Sequence, residues 1–431
     1  MILRLSSNAQ RLVLLAASCG TGLFLSYFSI RTALAAHAVG LQTAEGYERA
    51  TRLEPADPRN WYLLGRYWQY RLEGPDASRA IRYYLSAVSL YPASSDVWLD
   101  LASAYESEGN LVAARDAFSH AKRDYPLSPN VSWRYGNFLL RQGELEPAFV
   151  EMRHAVETDP TRGAEAFSRS LRVEPNIEKI LDRILPPIDS VYVDVIWDQT
   201  TNGQTDIALE VWDHLVAIHP RVPLRDVFPL IAALRNNKRI AEARRVWDQA
   251  VVVAGLADLQ GPAGSLLWDG GFESGVAGGG YSWLFPEVSQ NVQIGIDARE
   301  KHSGSQSLRL TFDGKSIVTS TDICHYVPVS PSTSYSLSAW VKTKAVTTDQ
   351  GVRLQLRSLG TQDISSVVTP ELHGSEPWTH IEIPWSSGKD VQEVQVCLVR
   401  YLSDQLENRI KGTTWVDDVA LVPEAAGHSK P

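Results

Sequence analysis

ASRAIRYYLSAVSLYP (77–92), LVAARDAFSHAKRDYP (111–126) and LEPAFVEMRHAVETDP (145–160) are three versions of one pattern. Pro92, Pro126 and Pro160 stand 34 residues apart. The same phase carries Ala80, Ala114 and Ala148, then Tyr84, Phe118 and Met152, then Ala87, Ala121 and Ala155. Two small residues around a large one at helical spacing are what close-packed antiparallel helices require, and a fixed period of this length marks an array of supersecondary units. The first helix of each unit lies upstream. Trp61, Leu64, Gly65 and Trp68 align with Trp98, Leu101, Ala102 and Tyr105; Trp133, Tyr135, Gly136 and Leu139 continue them with the tryptophan displaced by one place. Gly109 and Gly143 fall at the turns between helices, where free backbone dihedrals are wanted. The Trp61 unit carries a three-residue extension around Gly74, Pro75 and Asp76.

Upstream of these units, Tyr47, Ala50 and Pro55 read as a partial repeat, and residues 12–30, LVLLAASCGTGLFLSYFSI, form an uncharged run between Arg11 and Arg31. At about 1.5 Å per residue the run covers roughly the 30 Å of a hydrocarbon core. Arg4 and Arg11 precede it, so the expected arrangement is a single pass through a bacterial inner membrane with the bulk of the chain extracytoplasmic. Ala33, Ala35, Ala36 and Ala38 offer small residues just beyond the run, which makes cleavage as a signal peptide, followed by secretion, the alternative. Downstream, AEAFSRSLRVEP (164–175) still reads as helix, and Pro186 and Pro187 break the pattern. The phase returns with Gly203, Ala208, Trp212, Leu215 and Pro220, and again with Ala243, Trp247 and Ala250. Five to six helical hairpins are expected over 44–255, with Trp98, Tyr105, Phe118, Trp212 and Trp247 in their core.

Helical periodicity ends near Ala254, and Gly261, Pro262, Gly264 and Ser265 mark a linker. Beyond it the period becomes 2. SLRLTF (307–312) and SYSLSAWVK (334–342) alternate apolar with polar residues, and GVRLQLRSL, THIEIPW, VQEVQVCLV and TTWVDDVALV continue the alternation. Eight to ten antiparallel strands in two sheets are expected. The fold class is therefore multidomain: an N-terminal transmembrane helix and short linker (1–43), an all-α solenoid (44–255), a linker (256–265), an all-β sandwich (266–424) and a tail (425–431).

The W, LG, Y, A, F, A, P order of the helical units resembles the tetratricopeptide repeat, most closely over 58–160 and again over 190–252. The resemblance implies a concave face built from the first helix of each hairpin, which takes extended peptides or adjoining proteins, here proteins of the cell envelope. Arg66, Tyr70, Tyr135 and Asn137 are the candidates to reach it. WDGGFESG (268–275), KHSGSQSLRLTF (301–312), YSLSAWVKT (335–343) and WVDDVALV (415–422) resemble, in that order, the family 4 and family 9 carbohydrate-binding modules, jelly rolls of the galactose-binding-like type. That resemblance implies a structural calcium ion held by Glu273, by backbone oxygens near Lys301 and Ser303, and by Asp418, with Asp417 able to exchange roles with it. It also implies sugar rings stacked on aromatic side chains. The candidates are Trp283 and Phe285 in the glycine-rich stretch GGGYSWLF (278–285), then Trp340 and Tyr401.

The chain has 431 residues, 44% of them apolar, and a formal charge of −9. No stretch supplies the surplus of Lys and Arg that binding to nucleic acid needs. The cysteines are Cys19, Cys324 and Cys397, too few for a four-thiolate metal site. Cys324 and Cys397 sit in strand-like stretches and are expected as two buried thiols, with a disulfide as the alternative in an oxidising compartment. The GxxxxGK, HExxH, CxxC and GxSxG patterns are absent and the ten histidines are scattered, so no enzyme is expected. The expected function is a membrane-anchored extracytoplasmic scaffold that organises proteins through its repeats and contacts a polysaccharide through its terminal module, in exopolysaccharide assembly, export or envelope organisation. Two alternatives stand beside it: a protein-interaction subunit that meets no sugar, and an accessory component of a glycoside hydrolase system.

Overall fold

The computed structural model describes residues 7–424 except 219, 260, 261, 263, 287–291, 360–364 and 406; the expected tail 425–431 lies outside the described residues. The chain forms two compact units, Met1–Pro186 and Pro187–Pro431.

The first unit opens with α1 (Asn8–Gly40), capped by the Ser7 side chain, which accepts from the backbone of Gln10. This helix is long and apolar enough to cross a membrane. Its last turns lay Ala35 and Ala38 on Ala50 of α2 (Ala44–Leu53). Hairpins follow: α3 (Pro58–Tyr70) with α4 (Ala77–Leu90), α5 (Ser95–Ser107) with α6 (Leu111–Asp124), and α7 (Pro129–Arg141) with α8 (Leu145–Thr158). The repeat residues do what their size predicts. Ala80, Ala87, Ala114, Ala121, Ala148 and Ala155 are buried, as are Tyr84, Phe118 and Met152 between them. A Cβ on Gly65 would lie 2.6 Å from the Tyr84 ring, so only glycine lets α3 and α4 approach this closely. The period itself has a polar clamp: Trp61 Nε1 donates to Pro55 O at 2.8 Å and Trp98 Nε1 to Pro92 O at 2.7 Å. Each of these tryptophans thereby fixes its helix to the proline that closes the previous unit. The short helices α9 (Gly163–Leu171) and α10 (Ile177–Ile184) end the unit, where the sequence pattern weakens.

The second unit begins with α11 (Asp189–Thr201), α12 (Thr205–Ala217), α13 (Phe228–Asn236) and α14 (Ile240–Val253). Nine strands follow among the described residues: β1 (Val292–Asp297), β2 (Ser307–Ile317), β3 (Ser320–Pro328), β4 (Ser334–Lys344), β5 (Arg353–Ser358), β6 (Ser366–Val368), β7 (Thr379–Ser386), β8 (Glu393–Val399) and β9 (Arg409–Pro423). They form two antiparallel sheets, β1-β2-β9-β4-β7 and β3-β8-β5-β6. One apolar core joins them, with Leu308, Leu310 and Leu337 from one sheet and Ile323, Leu354, Val396 and Leu398 from the other. Cys324 and Cys397 stand directly opposite each other in the β3–β8 register, Cα atoms 4.1 Å apart, and are joined as a disulfide. This corrects the expectation of two separate thiols, since strand register, invisible in the sequence, decides the pairing.

The last hairpin rests on the sandwich. Trp247 of α14 meets Trp268 edge to face at 5.2 Å and Tyr281 at 6.0 Å. Arg235 of α13 forms a bidentate pair with Glu393 of β8, at 2.6 and 3.0 Å, and its guanidinium lies 3.7 Å over the Tyr326 ring. Both charges are largely buried, so each depends on the other for its solvation.

Candidate functional site

The first helices of three successive hairpins in the first unit, α3, α5 and α7, converge on Asp100. Its carboxylate side chain is 7% exposed. Tyr62 Oη donates to Oδ2 at 2.9 Å, Arg134 Nη1 to Oδ1 at 2.9 Å and Tyr70 Oη to Oδ1 at 3.4 Å, with Arg66 Nε at 3.7 Å from Oδ2. Arg134 is held further by Leu99 O at 3.0 Å and Ser103 Oγ at 2.8 Å. Tyr62, Arg66 and Tyr70 recur every four residues along α3 and so share one face. Burial, followed by the field of Asp100, pushes the phenols of Tyr62 and Tyr70 above the ordinary tyrosine value, so both stay neutral hydrogen-bond donors. Two guanidinium groups against one carboxylate leave the cluster a net positive charge. Its outer members remain open to a ligand, with Arg66 52% and Tyr70 53% exposed.

Of the four residues expected on this face, the structure brings Arg66 and Tyr70 together. Asn137 lies further along α7, nearly buried and already satisfied: its Oδ1 accepts from Arg169 Nη1 at 2.6 Å and its Nδ2 donates to Trp133 O at 2.8 Å. Tyr135 points elsewhere, stacked on Phe118 at 5.4 Å with the rings 16° apart. Sequence reasoning missed Asp100 and Arg134. A signal was present, because Asp100 and Arg134 occupy one repeat position, 34 residues apart and of opposite charge, which Leu63 fills in the first aligned unit.

In the sandwich the expected sugar platform dissolves. Trp283 is 1% exposed, stacks on Phe272 and donates its indole N–H to Asp269 O at 2.9 Å. The residue is core, and its face is closed to a sugar ring. Phe285 packs against the same core. Gly278 is exposed, but the next two glycines are not part of an open loop; a Cβ on Gly279 would overlap the Phe228 ring and one on Gly280 the Trp247 ring, so these two let the aromatic side chains of the last hairpin come close. Trp340 is covered on one face by His302, centroids 3.8 Å apart and planes 11° apart. Tyr401 belongs to the other sheet's neighbourhood, where Gln355 Nε2 donates to its hydroxyl at 3.2 Å. The four aromatic candidates therefore form no common platform.

The residues expected around calcium do converge. Glu273, Ser303 and Asp418 line a cavity of about 560 Å³ together with Asp269, Trp340 and His380. Their chemistry is that of anchored carboxylates. Glu273 accepts from Ser305 N at 2.7 Å, from Ser305 Oγ and from Gln306 N. Asp418 holds Ser303 Oγ at 2.7 Å and His302 Nδ1 at 2.6 Å, and Asp417 accepts from the backbone N–H groups of His302 and Ser303 at 2.8 and 3.1 Å. Lys301 donates its ammonium to Ser305 O at 3.3 Å. Burial pushes the carboxyls of Asp269 and Asp417 above the ordinary aspartate value. Each of these carboxylates is engaged by N–H or O–H donors in this arrangement, and a calcium ion takes six to eight oxygen ligands. No group of three or more His, Cys, Asp or Glu side chains able to hold a metal ion occurs among the described residues.

No protein-family model matches the chain. No curated protein matches it. Among solved structures, the CBM22-1 xylan-binding domain from Paenibacillus barcinonensis is similar at 15% identity and a TM-score of 0.25, covering 34% of this chain and 87% of that one. A family 16 carbohydrate-binding module is similar at 16% identity and 0.26, covering 36% and 99%. YrrB, a TPR protein with an unusual peptide-binding site, is similar at 14% identity and 0.23, covering 49% and 94%.

Proposed function

We propose that the chain is a membrane-associated scaffold that binds an extended, acidic segment of another protein along α3, α5 and α7. The observation that carries this is the Asp100 cluster. A buried carboxylate fixes two arginines and two tyrosines on one face, and leaves a guanidinium and a phenol half-exposed beside one another. Positioned arginine suits a carboxylate, and exposed tyrosine supplies contact area at low entropic cost. The Cys324–Cys397 disulfide supports an extracytoplasmic setting, where such bonds persist. Polysaccharide contact is not part of this reading, because Trp283 and Phe285 serve the core, His302 takes one face of Trp340, and Tyr401 lies by the other sheet, so no common platform results.

The test uses the full chain in its membrane, cross-linked and then purified, with Arg66→Ala and Tyr70→Ala beside the wild type. Both side chains are half-exposed, so melting temperature should hold while the cross-linked partner is lost from Arg66→Ala and reduced at least fivefold in Tyr70→Ala. An unchanged partner set in a variant that combines Arg66→Ala with Tyr70→Ala would sink the proposal.

A further inference from the structure

We infer that residues 12–30 are the membrane-embedded half of the first helix of the array, kept in the mature chain and seating the first hairpin at the bilayer surface. The inference rests on the reading of this run as membrane-crossing and goes beyond it in fixing what happens after Ile30. The small residues at 33–38 read equally well as a cleavage site or as a packing face, and the structure uses two of them, Ala35 and Ala38, for packing, while Ala33 and Ala36 are exposed. Helix α1 continues without a break from Asn8 to Gly40. Ala35 and Ala38 are buried on Ala50, flanked by Val39 and Leu53. A Cβ on Gly46 would lie 2.5 Å from Ala38 O, so glycine at that position lets α2 meet the α1 backbone itself.

Charge closes the same junction. Arg31, the first charge after the apolar run, places Nε 2.9 Å from Glu54 Oε1, and Thr32 Oγ1 donates to the same oxygen at 3.0 Å. Cutting the chain after Ala36 or Ala38 would strip Glu54 of both partners and uncover Ala50. The same contacts set the depth. The Arg31 guanidinium lies 4.8 Å over the Phe28 ring and 5.9 Å from that of Tyr27, the aromatic and basic pairing that marks a headgroup boundary. Glu54, bonded to Arg31, is then held at that boundary, so α2 ends at the membrane surface and no flexible tether separates the bilayer from the array.

Two measurements on the full chain test this. First, membranes are washed with carbonate and the protein is analysed by intact mass and N-terminal sequencing. We expect it in the membrane fraction with residues 12–30 present. A soluble product that begins at 37–40 would overturn the inference while leaving export intact; a soluble chain that retains residues 12–30 would overturn the membrane reading as well. Second, Arg52→Cys in a Cys19→Ala background carries a fluorophore in vesicles doped with lipids spin-labelled either at the headgroup or at mid-chain. Quenching by the headgroup label, lost on Gly46→Val, is the expected result. Absence of headgroup quenching in the parent variant would overturn the seating, even if the segment is retained.

Discussion

His325 meets two carbonyl oxygens with an imidazole that, when neutral, has one proton to give. Nδ1 lies 2.7 Å from Tyr326 O and Nε2 3.1 Å from Trp268 O, and the ring is fully buried. Two acceptors favour the charged form. Burial opposes them and wins, aided by the nearby Arg244 and Arg235, so the group is pushed down to about 4. The unfolded chain therefore binds this proton more readily between the ordinary value near 6.5 and about 4. Stability from this residue is complete above about pH 6.5 and declines as pH falls toward 4, by about 3 kcal/mol in all. The carboxyls of Asp269 and Asp417, raised by burial, act in the opposite sense as pH rises from the ordinary aspartate value. Urea melts of the wild type and of His325→Gln between pH 4.5 and 7 isolate the histidine term: the wild type should show the steeper loss at low pH, and parallel curves would refute it. None of this was legible beforehand. His325 looked like one of ten scattered histidines, because burial depends on β3 lying under Trp268, 57 positions earlier in the chain. Asp100 differs, since the repeat itself sets it in phase with the oppositely charged Arg134, 34 residues on, and only the partners that α3 brings are hidden.

Elements were read more securely than sites, and the reason is local. Repeat spacing and strand alternation are imposed by packing on a neighbour close in sequence, so α3 to α8 and β2, β4 and β9 fall where the apolar pattern puts them. The stretch 278–285 shows how far local pattern reaches. Three glycines and a tryptophan look like an exposed, sugar-stacking loop, yet the roles of Gly279 and Gly280 depend on rings contributed by α13 and α14. Gly279 is the clearest case, because a methyl group there would overlap Phe228 at the ring and lie 3.0 Å from its Cβ, so a ring rotation alone does not relieve it. Gly279→Ala should therefore lower the stability of the second unit by about 1–3 kcal/mol, the usual range for overpacking. Gly278→Ala is no control, since its positive φ of 100° strains any side chain. Gly388→Ala serves instead, with ordinary contact to Val391 at 3.4 Å. Equal melting temperatures for Gly279→Ala and Gly388→Ala would mean that the loop does not bear on the hairpin.

At the scale of the chain, an array of helical hairpins leaves an apolar face at its last repeat, which needs a cover. In the second unit that cover is the sandwich. Trp247, 1% exposed, is enclosed by Trp268 and Tyr281, Phe228 lies on Gly279, and the Arg235–Glu393 pair locks the edge. A large aromatic side chain buries about 150–250 Å². At about 25 cal/mol/Å² that is roughly 4–6 kcal/mol for each ring fully enclosed. The composition change near residue 260 invites a cut there, and the packing argues against it. A fragment of residues 260–431 would expose Trp268 and Tyr281 and leave Glu393 without its guanidinium partner, a loss that for buried pairs costs about 3–5 kcal/mol. A fragment of residues 187–431 retains every one of these contacts. Thermal melts of the two, with the disulfide intact, should give a single cooperative transition for 187–431 and a transition roughly 10 °C lower for 260–431, accompanied by binding of a hydrophobic dye. Arg235→Ala in the longer fragment should recover part of that difference, because it breaks the pair while leaving the rings in place. If 260–431 instead melted at the temperature of 187–431 and bound no dye, the sandwich would be self-sufficient and the last hairpin would have to find its cover elsewhere.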